Sequence, residues 1–184
     1  MMVTLDSMAT ERLELLRGFV NTLDVETGDD AISTPPTLAG WLAAQGLAGD
    51  DVRVSTAAVR RTAELREALR AHLLANDGAQ LPDYAVAVLD RQARRSRVEV
   101  GFAAAGAELR SGVAGVDGAL GLLLAAVAGA MADGSWVRLK VCRCDDCRWA
   151  FVDSSRNGSR HWCSMGVCGN RQKARAYRAR HAGR

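Results

Sequence analysis

The 184-residue sequence lacks the common catalytic signatures. It has no G-x-S-x-G nucleophile motif, no Walker phosphate loop, no H-E-x-x-H metalloprotease motif and no G-x-G-x-x-G dinucleotide motif. Internal repeats and low-complexity segments are absent as well. These absences predict a protein that is not an enzyme.

Segments that would direct the chain to a membrane or out of the cell are also missing. The first residues, Met1 to Asp6, show no basic stretch followed by an apolar one, so we expect no signal peptide and a cytoplasmic location. The most apolar run, Ala119 to Ala132, is short for a bilayer span and contains two glycines. It predicts a buried core helix and no membrane partner. With 48% hydrophobic and 24% charged residues, the composition is that of a globular protein.

Cysteine is absent from the first 141 residues, and all five cysteines then follow within residues 142–168. Two C-x4-C pairs are separated by fifteen residues, a spacing typical of a structural zinc site. Two short knuckles that converge would supply four soft thiolates in a tetrahedron. Such a closed site has no open coordination position for catalysis. The predicted zinc ligands are Cys142, Cys147, Cys163 and Cys168.

Alternatives to this ligand set remain open at the sequence level. Disulfides or ordinary buried thiols are less favoured for two reasons. The paired short spacings favour zinc, and the sequence shows no secretory signal that would argue for an oxidising compartment. Cys144 forms a C-x2-C with Cys147 and could replace Cys142, although Cys142 matches the spacing of the second pair. As a spare thiol, Cys144 could otherwise serve redox sensing. His161 is not needed, since a fourth thiolate is available.

The sequence between and after the cysteine pairs predicts a hairpin and a helix. Residues Arg148 to Asp153 alternate like a strand, and Ser154 to Gly158 are turn formers, so we expect a β-hairpin in the linker between the pairs. Arg171 to Arg180 contain no proline or glycine and predict a terminal helix.

Positive charge is concentrated in this last part of the chain. Residues 138–184 hold 12 Lys/Arg and 3 Asp, a net charge of +9, whereas the first 137 residues carry −6. This asymmetry predicts a polyanionic partner for the C-terminal part. On the terminal helix, one stripe of Asn170, Ala174, Tyr177 and His181 is expected to pack on the cysteine-rich segment that precedes the helix. The predicted nucleic-acid contacts are the stripe of Arg171, Arg175 and Arg178 together with Lys173, Arg180 and Arg184 beside it.

The N-terminal part is predicted to be mainly helical. Asn21, Thr22 and Asp24 are interpreted as structural polar groups near a helix end. On the longest helix, Arg66 and Arg70 belong to a face expected to be solvated, whereas His72 is expected to pack inward. The predicted elements are a helix over Glu11–Asp24 capped by Thr10, a short helix capped by Thr37 that ends near Gly46, a helix from Ser55 to Asn76–Gly78, a helix after Pro82 to Arg95, a hairpin of Arg97–Phe102 with Ala107–Arg110, a helix over Gly118–Ala132 capped by Asp117, and a strand over Trp136–Val141.

Several of these residues carry a family resemblance. The final 45 or so residues resemble the CGNR zinc finger, and the segment Phe19-Val-Asn-Thr22 resembles a motif of the ABATE domain, which commonly precedes that finger and has been proposed to have a stress-linked regulatory role. The resembling finger residues are Cys142, Cys147, Arg156-Asn157, Trp162-Cys163-Ser164-Met165 and Cys168-Gly169-Asn170-Arg171.

The resemblance implies the same four zinc ligands and a DNA-binding function in transcription regulation. We therefore expect a mainly α fold with small β-hairpins. Residues 1–137 would form an ABATE-like helical domain, and residues 138–184 a treble-clef-like zinc finger that ends in a basic helix. A small-molecule effector of the N-terminal domain is compatible with this organisation. The competing hypothesis is a zinc-stabilised protein-interaction module that binds no nucleic acid, in which the basic finger meets an acidic protein surface.

Overall fold

The computed structural model describes residues 7–104 and 106–181, so Arg184 and the segment Met1 to Asp6 lie outside the described residues. Helices dominate the fold, with two antiparallel two-stranded sheets. The predicted mainly α class with small hairpins is confirmed. The elements are α1 (Ser7–Val20), α2 (Pro35–Ala44), α3 (Thr56–Ala75), α4 (Asp83–Arg95), β1 (Val98–Ala103), β2 (Gly106–Ser111), α5 (Gly115–Ala132), a 3-10 helix (Ser135–Arg138), β3 (Leu139–Val141), β4 (Ala150–Val152), a π-helical turn (Met165–Gly169) and α6 (Asn170–His181).

Helix α5 lies at the centre of the helical core, as its apolar sequence predicts. It packs against α1, α3, α4 and the β1–β2 hairpin. Leu120 and Leu123 are fully buried among leucines of α1 and α3. By length and composition alone α5 could cross a membrane, but half of its 18 residues are buried inside the protein. A core helix passes the same test, so this is weak evidence for a span.

The start of α1 differs from the prediction. The helix begins at Ser7 and ends at Val20, so Thr10 lies inside it and does not cap it. Beyond Val20 the chain turns into an isolated antiparallel bridge between Leu23 and Asp30, which ends the helix before Asp24.

Two other predicted caps are also wrong. Helix α2 is capped by Thr34, and Thr37 completes a reciprocal capping box from the third helical position. Helix α5 starts at Gly115, three residues earlier than predicted, so Asp117 lies in its first turn. There its carboxylate still faces the positive end of the helix dipole. Helix α3, predicted to begin at Ser55, is capped by that residue and begins at Thr56.

The predicted exposure of two α3 arginines is wrong. Arg66 is 3% exposed and donates to both carboxylate oxygens of Asp30 at 2.8 and 2.9 Å. Burial opposes ionisation of Asp30, but the bonds from Arg66 outweigh it and lower the pKa of that carboxyl. Arg70 is 5% exposed and donates to the Val20 carbonyl at 2.8 Å. A buried guanidinium is tolerated because its donors meet fixed acceptors.

The strand pairing of the finger also differs from the prediction. Strand β4 pairs with β3, with Lys140 opposite Phe151, so the hairpin encloses the first cysteine pair. The prediction placed the hairpin after that pair. Of the predicted strand over Trp136–Val141, only Leu139–Val141 is extended, because Ser135–Arg138 form a 3-10 turn.

The part of the chain from residue 138 onward, called the finger below, is docked on the helical part before it, called the body. Leu139, Val141 and Ala150 of the two finger strands are fully buried and belong to the same hydrophobic core as α1, α3 and α5. The finger is therefore packed against the body and not loosely tethered to it.

Candidate metal centre and nucleic-acid interface

The first cysteine pair lies at the end of the β3–β4 hairpin. The Cys142 amide donates to the Trp149 carbonyl at 2.9 Å, which extends the strand ladder by one bond. The turn then closes on the Cys144 carbonyl, which accepts from the amides of Cys147 and Arg148 at 2.9 and 3.1 Å. These bonds direct both Cys142 and Cys147 to one small region.

The second pair lies where the chain enters α6. Ser164 caps the π-helical turn, and its hydroxyl accepts from the Val167 amide. Gly169 is closely packed, since a Cβ there would displace the exposed Met165 side chain and lie 3.3 Å from Trp162 Cδ1. The Asn170 side chain donates to the Gly166 carbonyl at 3.1 Å. The Cys-Gly-Asn part of the tetrapeptide thus fixes how α6 leaves the cysteine cluster.

The four sulfurs predicted as ligands are brought together. Cys142, Cys147, Cys163 and Cys168 place their Sγ atoms within 4.8 Å of one another. Cys163 Sγ lies 3.6 Å from Cys147 Sγ and 3.7 Å from Cys168 Sγ. These distances are too long for a disulfide, and all five cysteines are free thiols. A tetrahedral zinc with Zn–S bonds of about 2.3 Å would separate its sulfurs by about 3.8 Å, so the cluster fits a metal ion of that kind.

The electrostatics of the cluster also fit a cation. Burial, the Cys163 thiol and the charge of Cys142 raise the pKa of Cys147 to about 12. Burial and the neighbouring thiols also raise the pKa of Cys168. Burial opposes ionisation of Cys142, but bonds from the backbone amides of Cys163 and Cys144 outweigh it and lower the pKa of Cys142. A bound cation would lower the pKa of these thiols and allow them to ionise.

The two alternative ligands lie elsewhere. Cys144 is fully buried but stands outside the four-sulfur cluster. The imidazole Nδ1 of His161 lies 2.6 Å from Asp77 Oδ1, a carboxylate of the helical body. His161 therefore belongs to the contact between body and finger.

Asp77, just beyond the end of α3, is the centre of that contact. Its side chain is 4% exposed and faces three basic groups of the finger, Lys140, Arg143 and His161. Lys140 is itself 3% exposed and also binds Asp153 at 3.1 Å. Burial opposes ionisation of Asp153, but bonds from Ser155, the Arg160 amide and Lys140 outweigh it and lower its pKa to about 2.

Three further body side chains hold the finger backbone. Asn21 pairs with both the amide and the carbonyl of Ala150, at 2.7 and 2.9 Å, as a neighbouring strand would. Arg70 donates to the Arg148 carbonyl at 2.7 Å, and Asn76 donates to the Leu139 carbonyl at 2.9 Å. Sequence reasoning missed these contacts. The only signal was the place of Asn21 in the Phe-Val-Asn-Thr motif.

The predicted arginine stripe of α6 faces acidic groups of the same chain. Arg171 pairs with Glu26, at the tip of the loop after α1, at 2.9 Å. Arg175 pairs with Asp146 of the first knuckle. Arg178 contacts only the Ala174 carbonyl of its own helix among the residues described here. Two of the three stripe arginines thus have partners within the chain.

The other predicted stripe of α6 is exposed, so the expectation that it packs on the finger is wrong. Asn170, Ala174, Tyr177 and His181 are all solvent-exposed, and Tyr177 stacks on His181 with the ring centroids 4.1 Å apart. The half-buried side of α6 is the one that carries Arg171 and Arg175. The predicted contacts Lys173, Arg178 and Arg180 are exposed.

Two family profiles match the sequence. Residues 138–181 match the profile of the CGNR zinc finger. Residues 14–134 match the ABATE profile, described as "Putative stress-induced transcription regulator". Neither description names an enzymatic activity. No curated protein matches the chain.

Proposed function

Because the chain belongs to the ABATE family of regulators and ends in a CGNR zinc finger, we propose that it binds duplex DNA through α6 and regulates transcription. In this account Cys142, Cys147, Cys163 and Cys168 hold one Zn²⁺. The protein is not an enzyme and works in the cytoplasm. Residues 1–137 act as the regulatory body and residues 138–184 as the DNA-binding part.

The observation that carries the proposal is a set of unpaired cations on an anchored helix. Lys173, Arg178 and Arg180 are exposed, and none has an acidic partner within residues 7–104 and 106–181. The start of α6 is fixed by the cysteine cluster and by the Asn170 bond to Gly166. An isolated helix of 12 residues is marginal in water, so a bound metal would decide whether these charges form an oriented surface.

Arg171 and Arg175 have a second role in this proposal. Their ion pairs with Glu26 and Asp146 are partly exposed and therefore weak. DNA phosphates could replace both carboxylates at little cost. All five cations of the helix, Arg171, Lys173, Arg175, Arg178 and Arg180, then contribute to the interface.

The contribution of the three unpaired cations can be measured by salt dependence. Each phosphate neutralised contributes about 0.9 to the slope of log K against log salt. Replacing Lys173, Arg178 and Arg180 together by Ala should therefore reduce the magnitude of the slope by roughly 3 and weaken binding to a random duplex at low salt. Fluorescence anisotropy with a labelled duplex is the measurement.

A body variant provides the matched control. Arg17, Arg53 and Arg60 are also surface-accessible arginines, and their triple Ala variant removes the same charge from residues 1–137. Its slope should remain that of the wild type. If both triple variants change binding equally, the effect is one of net charge and not of α6.

One observation favours the competing function. Glu26 and Asp146 show that acidic protein groups already bind this helix. A finger that docks an acidic partner protein would use the same cations. Unchanged DNA affinity in the α6 triple variant would support that function and contradict DNA binding through α6.

A further inference from the structure

A cleft of about 640 Å³ lies between α3 and α4, away from the cysteine cluster. Leu65 and Val88 give it an apolar wall, and the buried Gln92 contributes a polar side chain. Its size is that of a site for a small organic molecule. Nothing in the proposed DNA contact involves this cleft.

Positive charge dominates the cleft. Four arginines line it, Arg61 from α3 and Arg91, Arg94 and Arg95 from α4. Three carboxylates lie within 4 Å of them, those of Glu64, Asp90 and Asp117, which leaves one positive charge in excess. This local excess contrasts with the net negative charge of residues 1–137. Guanidinium groups from two helices can bind one oxyanion in bidentate fashion, which suits a carboxylate or a phosphate.

The carboxylates near these arginines form only long contacts with the guanidinium groups. Asp117 lies 3.3 Å from Arg61 and 3.9 Å from Arg95, and is thus shared between two cations. Glu64 lies 3.4 Å from Arg91. Good charge-assisted hydrogen bonds are about 2.7–2.9 Å long, so these pairs leave donor capacity for a further anion.

Arg61 provides independent evidence for a missing acceptor. Its Nε atom is buried and has no hydrogen-bond partner among the residues that the structure describes. A buried donor without a partner costs about 1–3 kcal/mol, and such groups usually call for an explanation. The Arg61 side chain is 29% exposed as a whole, so a turn of its guanidinium toward an oxyanion in the cleft would give Nε an acceptor.

We propose that the α3–α4 cleft binds a small organic anion, with its carboxylate or phosphate among the four arginines and its apolar part against Leu65 and Val88. A duplex is too wide to enter a cleft of this size, so the shape favours a small ligand over a second DNA contact. The ligand class follows from this chemistry: a monoanionic carboxylate or a phosphate monoester attached to a compact apolar group.

Phenyl phosphate and benzoate are suitable probes, because each joins an anion to a small apolar ring. The zinc-loaded full chain is titrated with each probe and followed by ¹H–¹⁵N NMR of the arginine Nε–H groups. The Arg61 Nε–H signal should move downfield and saturate, since this donor gains an acceptor, with a dissociation constant on the order of 1 mM for at least one probe. The stronger of the two probes identifies the anion as carboxylate or phosphate. Benzyl alcohol, which lacks the charge, should leave the signal in place.

Variants locate the effect within the cleft. Arg61→Gln should weaken binding of the preferred probe roughly 10-fold or more by calorimetry, because one charge-assisted bond is lost. Arg60→Gln, the neighbouring arginine that does not line this cleft, should bind like the wild type. If Arg61→Gln fails to fold, Arg91→Gln at the exposed rim replaces it and should also weaken binding.

Three results would overturn the proposal. The first is no saturable shift of the Arg61 signal with either anion up to about 20 mM. The second is an equal loss of affinity in Arg60→Gln and Arg61→Gln. The third is a response to duplex DNA but not to the two probes, which would make the arginines part of a polyanion surface.

Discussion

Cys142→Ser should release the zinc ion from the finger, whereas Cys144→Ser should leave one zinc ion bound per chain. The two thiols are two residues apart and both are fully buried, so the pair is closely matched. Only Cys142 has its sulfur in the four-sulfur cluster. Structural zinc contributes on the order of 10–16 kcal/mol to the folding of isolated fingers, so loss of one ligand should have a large effect.

Metal content after gel filtration, followed by far-UV circular dichroism, measures this difference. Cys142→Ser should contain little zinc and should lose the helical signal of α6, which has no buried residue of its own to hold it. Zinc loss in Cys144→Ser with retention in Cys142→Ser would show that the first ligand is Cys144. Equal zinc content in the wild type and in both variants would contradict a metal site at this cluster.

Asp77→Ala should weaken the contact between the finger and the body and destabilise the whole chain by about 3 kcal/mol, since it removes one of the two carboxylates that face the buried Lys140. Lys140 is the most affected, being 3% exposed, and it retains only Asp153 as an anionic partner. Arg143 and His161 are partly exposed and can turn to water. The estimate therefore lies at the low end of the range for breaking a buried ion pair.

Urea unfolding of the zinc-loaded protein measures this loss. Asp50→Ala, an exposed acid of the body, is the control and should change the free energy of unfolding by less than about 0.5 kcal/mol. Limited proteolysis adds a local readout, because a released finger would be cleaved near Ser135–Arg138 before the body unfolds. If Asp77→Ala is no less stable than Asp50→Ala, the buried ionic contact does not hold the two parts together.

The features that sequence predicted well are those specified by local pattern. Cysteine spacing alone predicted that one metal ion is bound by the sulfurs of Cys142, Cys147, Cys163 and Cys168. Metal knuckles are short, so this prediction needs little tertiary context. The β1–β2 hairpin followed from alternation. The termini of α3 followed from Ser55 at its start and the Asn76–Gly78 segment at its end. Each of these features depends on residues that are close in the chain.

The features that sequence missed depend on contacts between distant residues. Arg66 and Arg70 were predicted to be solvated because they belong to a charged run, yet Asp30 and the Val20 and Arg148 carbonyls lie where their side chains reach. The turn formers after Asp153 suggested a local hairpin, whereas the true partner of β4 is β3, across the first knuckle.

The orientation of α6 could not be predicted for the same reason. A helix with arginines on one stripe and Tyr177 on the next suggests that the tyrosine side packs inward. In the folded chain the partners of the helix are Glu26 and Asp146, which attract Arg171 and Arg175. The direction in which α6 leaves the cysteine cluster sets this orientation, and the periodicity within α6 does not contain that information.

DNA binding by a metal-anchored α6 can be tested in one titration. Zinc-loaded and chelator-stripped protein are compared by fluorescence anisotropy with a random duplex at about 50 and 200 mM salt. With three to five phosphates neutralised, the zinc-loaded protein should bind roughly 40- to 500-fold more weakly at the higher salt, and the stripped protein should bind far more weakly at both. Absence of binding by the zinc-loaded protein at low salt, or equal binding after metal removal, would contradict the account.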